Sequence, residues 1–288
     1  MPTNTKGKQG KQDALRIDAW IQHPSANFAA HPMFESLRRW MGMEEVPDEI
    51  PLDVTVAALE AADIDRALVS AWWGPEGAII SNDEVAQMVD ARPDLLVGVG
   101  SVDLSQPMKA VEQVRRCVEE LGFKAIRALP WLWDLPPDDR RYYPVYVACV
   151  EMGVPFCLQV GHTGPLRSSE WGRPIPYLDH VALDFPELTI VGGHIGYPWT
   201  DEMIALARKY PNVYIDTSAY KPSRFPPQFV DYLRKDGRKK VLFGSNFPMI
   251  MPGDCLSGLG ELGLDDEARE RFLWRNAVEV FDLDVSDS

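Results

Sequence analysis

Eight short apolar runs, each followed by a stretch of helical character, constrain this chain more than any other feature. The runs are "LRIDAWI" (15–21), "RALVSAW" (66–72), "LLVGVGSV" (95–102), "FKAIRAL" (123–129), "PFCLQVG" (155–161), "LTIVGGH" (188–194), "NVYIDTS" (212–218) and "KVLFGSN" (240–246). They are rich in Val, Ile and Phe, as strands buried on both faces should be. Strand and helix alternating eight times describe a parallel sheet with helical crossovers. Eight such units within 288 residues predict an α/β fold, a TIM (β/α)8 barrel in a single domain over 14–288. An open doubly wound sheet is the alternative. No G-x-G-x-x-G follows the first run, which argues against its dinucleotide-binding form.

The intervening stretches carry helix punctuation. "SNDEVAQMVDARP" opens on Ser81 or Asn82 as an N-cap, with acids in the first turn. "QPMKAVEQVRRCVEELG" and "YYPVYVACVEMG" end on Gly122 and Gly153, which suit C-caps. "PIPYLDHVALDFP" and "WTDEMIALARKYP" stop at prolines, which cannot continue a helix. Residues 1–13 read as a disordered polar tail without the apolar core of a signal peptide. The stretches 22–52 and 131–144 read as insertions in the mouth loops.

A net charge of −14 argues against nucleic acid and anionic membranes as partners. No run approaches 18 uncharged apolar residues, so no membrane span is expected. Cys117, Cys149, Cys157 and Cys255 are scattered without C-x-x-C spacing, which suits free thiols in a reducing cytoplasm. The expected partner is a small-molecule substrate; a homodimer is common among such barrels, and residue pattern alone does not choose the oligomeric state.

In a parallel barrel the chemistry gathers at the C-terminal ends of the strands. Those ends offer Trp20, Gln22, Trp72, Trp73, Arg127, His162, His194, Asp216, Ser218 and Asn246. A lone histidine is more often structural than catalytic. Two, in "GHTG" and "GGHIG", each embedded in glycine at a strand end, tip the balance toward a site. Asp216 can orient His194, act as a base, or simply bond loop backbone. The tryptophans at 72, 73, 131, 133, 171 and 199 serve core packing or wall a pocket for a flat or apolar substrate.

The stretches "RPIPYLDHVALDFPELTIVGGHIGYPW", "YPNVYIDTSAY", "KVLFGSNFPM" and "RNAVEVFDL", in this order over residues 14–283, resemble the amidohydrolase-related family, in its aminocarboxymuconate-semialdehyde decarboxylase-like branch. The resemblance implies a TIM barrel and one divalent metal, commonly zinc. Its ligands would be an H-x-H pair ending strand 1, a histidine on strand 5 and an aspartate on strand 8, with a strand 6 histidine acting on substrate or metal-bound water. Carried onto this chain, the pair falls on Trp20 and Gln22, the strand 5 ligand on His162, the strand 6 histidine on His194 and the aspartate on Asn246.

Indole cannot ligate zinc, and amides are poor ligands for it. His23 is one residue out of phase with Gln22 and should face the other side of the strand. No metal and no other cofactor is therefore expected. The favoured reading is a metal-independent hydrolase or decarboxylase-like lyase for a small carboxylated or carbonyl substrate. His162, His194 and Asp216 would be its catalytic groups. Gln22 and Asn246 would donate hydrogen bonds to a substrate oxygen. Arg127, Arg167 or Arg173 would clamp a carboxylate, and Trp20, Trp72 and Trp73 would line the pocket. Two alternatives stand: a non-catalytic binding or partner barrel, and a metal enzyme whose ligands include a shifted His23 or His31.

Overall fold

In a computed structural model of the chain, residues 15–41 and 45–285 are described. The polar tail read over 1–13 lies outside them. Among the described residues ten strands form: β1 (Ile17–Ile21), β2 (Arg66–Ser70), β3 (Trp72–Gly74), β4 (Gly77–Ile80), β5 (Leu96–Gly100), β6 (Ala125–Ala128), β7 (Phe156–Gln159), β8 (Ile190–Gly193), β9 (Val213–Asp216) and β10 (Val241–Leu242). Eight of them, one from each apolar run, build a parallel sheet in the order β1-β2-β5-β6-β7-β8-β9-β10.

β10 is two residues long, and the chain just beyond it closes the barrel. The Ala19 N–H donates to the Phe243 carbonyl at 2.9 Å, the Asn246 N–H to Trp20 at 2.8 Å and the Gln22 N–H to Phe247 at 3.0 Å. The Asp18 carboxylate ties the same seam from inside, accepting the N–H of Ser245 at 2.9 Å and of Trp20 at 3.2 Å. The two ends of the eight-stranded sheet are thereby paired with each other.

Helices follow the strands and bury their apolar faces against the barrel. Asn82–Ala91 starts on a capping box: the Glu84 N–H donates to the Ser81 hydroxyl, and the Ser81 N–H donates to the Glu84 carboxylate. Tyr143–Met152 ends on Gly153 at φ +67°, where a side chain would be strained. Both ends fall where the sequence places them.

One run splits. The sequence reading carries the second strand through Trp72, but β2 stops at Ser70, and "WWGPEGAII" folds back as the antiparallel pair β3–β4, Gly74 facing Gly77. A Pro-Glu-Gly turn between apolar residues is a hairpin signal. The insertion after β1 forms short helices over Ala26–Ala30 and Glu35–Met41. Together with β3–β4 and the short helix Pro130–Trp133 it frames the barrel mouth. The four cysteines are free and buried. No helix among the described residues is long and apolar enough to cross a membrane.

Candidate active site

Side chains that alternate along β1 place Asp18, Trp20 and Gln22 one above the other on one face. All three are buried. Asp18 lies deepest, in a polar layer with Arg127 of β6, Cys157 of β7 and Asp216 of β9. The Arg127 guanidinium feels the charge of Asp18, Asp216 and Cys157 there, and the two carboxyls feel each other. Burial pushes the Asp18 carboxyl up to about 7 and Asp216 up to about 6. The Cys157 thiol is raised to about 12 by the same burial.

Trp20 roofs this layer. The Arg127 guanidinium stacks on its ring at 3.6 Å and donates to the Ala19 carbonyl at 3.0 Å. The seat is cut for an indole: a Cβ on Gly193 would lie 2.7 Å from the Trp20 ring. The next residue, His194, has its imidazole tilted against the Trp20 ring with centroids 5.2 Å apart.

Above Trp20 opens a cavity of about 250 Å³. Trp20, Gln22, Gln159, His162, His194 and Asn246 meet in it, walled by Phe34, Leu37, Trp72, Trp131, Tyr220 and Met249. Among the described residues no Asp, Glu, Lys or Arg lines it. Trp72 holds the aromatic wall together through edge contacts with Phe28, Phe34 and Trp131. The Trp131 indole N–H donates to Gln159 Oε1 at 2.7 Å, and Gln159 Nε2 donates to the His162 carbonyl at 3.0 Å. That chain steadies the loop carrying His162, whose side chain is exposed at the rim.

Three strand ends reach the cavity with strained backbone. His194 (φ +69°), Ile195 (φ +50°), Ala219 (φ +66°) and Asn246 (φ +68°) occupy the left-handed region, just past β8, β9 and β10. Each such residue costs on the order of 1–3 kcal/mol, and clusters of this kind sit at functional sites. Here the strain turns His194 and Asn246 inward.

His194 Nδ1 is 2.7 Å from Ser218 Oγ, and Nε2 is left open to the cavity. Burial, reinforced by the Arg127 charge, lowers its pKa to about 3, so the imidazole is neutral at ordinary pH. Gln22 Nε2 donates to Asn246 Oδ1 at 3.1 Å and to the carbonyl of Phe247 at 2.6 Å. Gln22 Oε1 is buried without a partner. The Gln22 amide nitrogen, which the sequence reading expects to donate to a substrate oxygen, is thus committed to Asn246 and Phe247. Asn246 Nδ2 carries no bond to a described residue and remains as a donor.

The other expectations divide. Trp72 lines the cavity, whereas half-buried Trp73 lies outside the lining, its backbone N–H on Ser101 Oγ. Arg127, read as a substrate clamp, is only 1 % exposed behind Trp20, because its planar cation is stacked rather than presented. Arg167 pairs with Asp134 and Arg173 with Glu202, both away from the cavity. Asp216 is buried below the floor. His23 faces outward, bonded to Thr55 Oγ1 at 2.8 Å and the Ile50 carbonyl at 3.0 Å, and His31 caps a short helix by accepting the Met33 N–H. Gln159, Tyr220, Phe34 and Leu37 escape the sequence reading. Gln159, a polar residue ending an apolar run, carries a readable signal; Phe34 and Leu37 carry none until the insertion folds over the mouth.

The amidohydrolase family model matches residues 17–283. The chain belongs to the amidohydrolase family. Among its relatives, 2-amino-3-carboxymuconate-6-semialdehyde decarboxylase of Dictyostelium discoideum is 24 % identical, over 81 % of this chain and 77 % of that one. Gamma-resorcylate decarboxylase of Rhodococcus jostii is 25 % identical over 97 % of this chain and 99 % of that one. A TIM-barrel protein of Bordetella bronchiseptica superposes with a TM-score of 0.80 at 25 % identity, covering 93 % of this chain and 98 % of the other.

This amidohydrolase does not offer the metal site that the family resemblance implies. At the strand 1 positions a stacked indole and an amide stand in for imidazoles, and the amide nitrogen is committed to Asn246 and Phe247. Among the described residues no three His, Cys, Asp or Glu side chains converge as a metal set, and neither His23 nor His31 reaches the cavity. A neutral set with a single imidazole at the ligand positions does not fit a tightly held divalent ion.

Proposed function

We propose that this amidohydrolase is a metal-independent lyase of the decarboxylase type, acting on a small, flat, carboxylated or carbonyl substrate. The observation that carries this reading is an uncharged aromatic cavity with a neutral, oriented imidazole on its floor. The names of the two relatives described above, both decarboxylases, support the reaction class.

The chemistry fits the cavity. Loss of CO2 breaks a C–C bond, forms a C–H bond at the same carbon and consumes one proton. The carboxylate gives up its charge as it leaves, so a lining without a cation does not stabilise the ground state more than the transition state. A substrate hydroxyl or a water, hydrogen-bonded to His194 Nε2, supplies the proton that passes to carbon. Asn246 Nδ2 donates to the oxygen on which charge collects. His162 at the rim meets the substrate on entry, and Trp20 and Trp72 hold its flat faces.

The test is turnover of a panel of aromatic and conjugated carboxylates, followed by CO2 release, with and without chelator. Chelator-resistant turnover lost in His194→Gln supports the reading. Turnover abolished by chelator and restored by zinc or manganese overturns it in favour of a metal enzyme. Saturable binding without CO2 release points to a binding barrel.

A further inference from the structure

A guanidinium lies one ring below the cavity and never enters it. Arg127 Cζ sits 3.6 Å from the Trp20 ring, and Trp20 lines the cavity while Arg127 does not. The Arg127 Nη2 donates to the Ala19 carbonyl at 3.0 Å, whereas its Nε and Nη1 are buried without a partner. Among the described residues no carboxylate accepts a hydrogen bond from it. A fully buried guanidinium is ordinarily paired with an anion. Here an indole face takes the place of that anion. The indole is closely seated, since a Cβ on Gly193 would lie 2.7 Å from its ring.

We infer that Trp20 is a specificity-determining residue: by covering Arg127 it denies a ligand carboxylate an ion pair, so that the cavity selects by flat shape and neutral hydrogen bonds instead of by charge. Arginine is the side chain best suited to hold a carboxylate, because its planar fork donates two parallel hydrogen bonds to it. Two of the Arg127 nitrogens lack a partner, so donors for such a contact exist beneath the floor. The ring of Trp20 occupies the space through which a carboxylate would have to reach them. An ion pair there would hold the charge of a carboxylate that must be lost as CO2, and would stabilise the ground state more than the transition state. The inference rests on the cavity's being the ligand site of the proposed lyase, but its test uses unreactive probes and does not depend on CO2 release.

Benzoate and benzamide share one flat shape and differ in charge, and calorimetry at neutral pH measures the binding of each. In the wild type the two affinities should differ by less than about tenfold, and Arg127→Gln should leave their ratio unchanged. Trp20→Ala should come to prefer benzoate by about 10–100-fold, the range of a hydrogen bond to a charged partner. Adding Arg127→Gln to Trp20→Ala should remove that preference. Trp20→Leu, which keeps an apolar floor but cannot stack on a guanidinium, is the second variant should Trp20→Ala fail to fold. A folded Trp20 variant that gains no preference for benzoate overturns the inference. So does a wild type that already prefers benzoate tenfold or more, a result that would mean the indole moves aside for the anion. Failure of both probes to bind any form removes the ligand site itself, and this role of Trp20 with it.

Discussion

Replacing Asp18 by Asn should stabilise this protein at alkaline pH and do nothing at acid pH. Asp18 is sealed inside the barrel, and burial raises its carboxyl from 3.8 to about 7. The folded chain therefore binds this proton more tightly than the unfolded chain. Stability from this group is complete below pH 3.8 and is lost as the pH rises through about 7. At about 1.4 kcal/mol per pKa unit, the raised pKa costs the fold about 4 kcal/mol at pH 8, where Asp18 is ionised, and about 1–2 kcal/mol at pH 5, where the folded chain holds a proton that the unfolded chain has released. Asn is neutral throughout. Its Oδ1 keeps the bonds from Ser245 and Trp20 that tie the barrel seam, and its amide nitrogen takes the place of Oδ2, which has no partner to lose. Urea unfolding at pH 3.5, 5 and 8, followed by tryptophan fluorescence at constant ionic strength, measures the difference. The Asn variant should match wild type at the lowest pH and exceed it by about 4 kcal/mol at the highest. A difference that does not grow with pH, or an Asn variant weaker at pH 8, would refute the account of a carboxylate strained by burial.

Three further outcomes are expected. His194→Gln should lower turnover by about 10²–10⁴-fold while leaving ligand affinity nearly unchanged, measured by steady-state kinetics beside calorimetric binding. Trp72→Ala removes the side chain that Phe28, Phe34 and Trp131 pack against, and should cost about 3–5 kcal/mol in chemical denaturation. The triple change Trp20→His, Gln22→His and Asn246→Asp, joined to His162, should bind about one zinc per chain by elemental analysis, where the parent binds none. If the triple variant folds and stays empty, the correspondence drawn between these positions and the family's ligands is wrong.

Much of the site was legible because strand periodicity is local. Alternation along β1 puts Trp20 and Gln22 on one face and turns His23 away, and the structure places them so. Glycine beside His162 and His194 marked both as strand-end residues, and both line the cavity. Arg127 misled because its strand position says that it points inward but not what lies above it. Trp73 misled because the chain breaks after Ser70 and folds back, a choice made by the Pro-Glu-Gly turn and by packing of Gly74 against Leu132.

The sequence by itself determined the eightfold alternation, the punctuation of the helices and the residue types at the strand ends, since each depends on residue type and on spacing within one element. Only the tertiary structure decided how the replaced residues are used. Gln22 turns its nitrogen away because Asn246 and Phe247, more than two hundred residues distant, close the barrel beside it. Trp20 covers Arg127 because Gly193, on a strand that never touches β1 in sequence, leaves the room. His194 is neutral because the fold dehydrates it and sets a buried cation nearby. Burial, hydrogen-bond direction and the field of a distant charge arise only when strands far apart in the chain are brought within a few ångströms, and they are what turn a list of residues into a site.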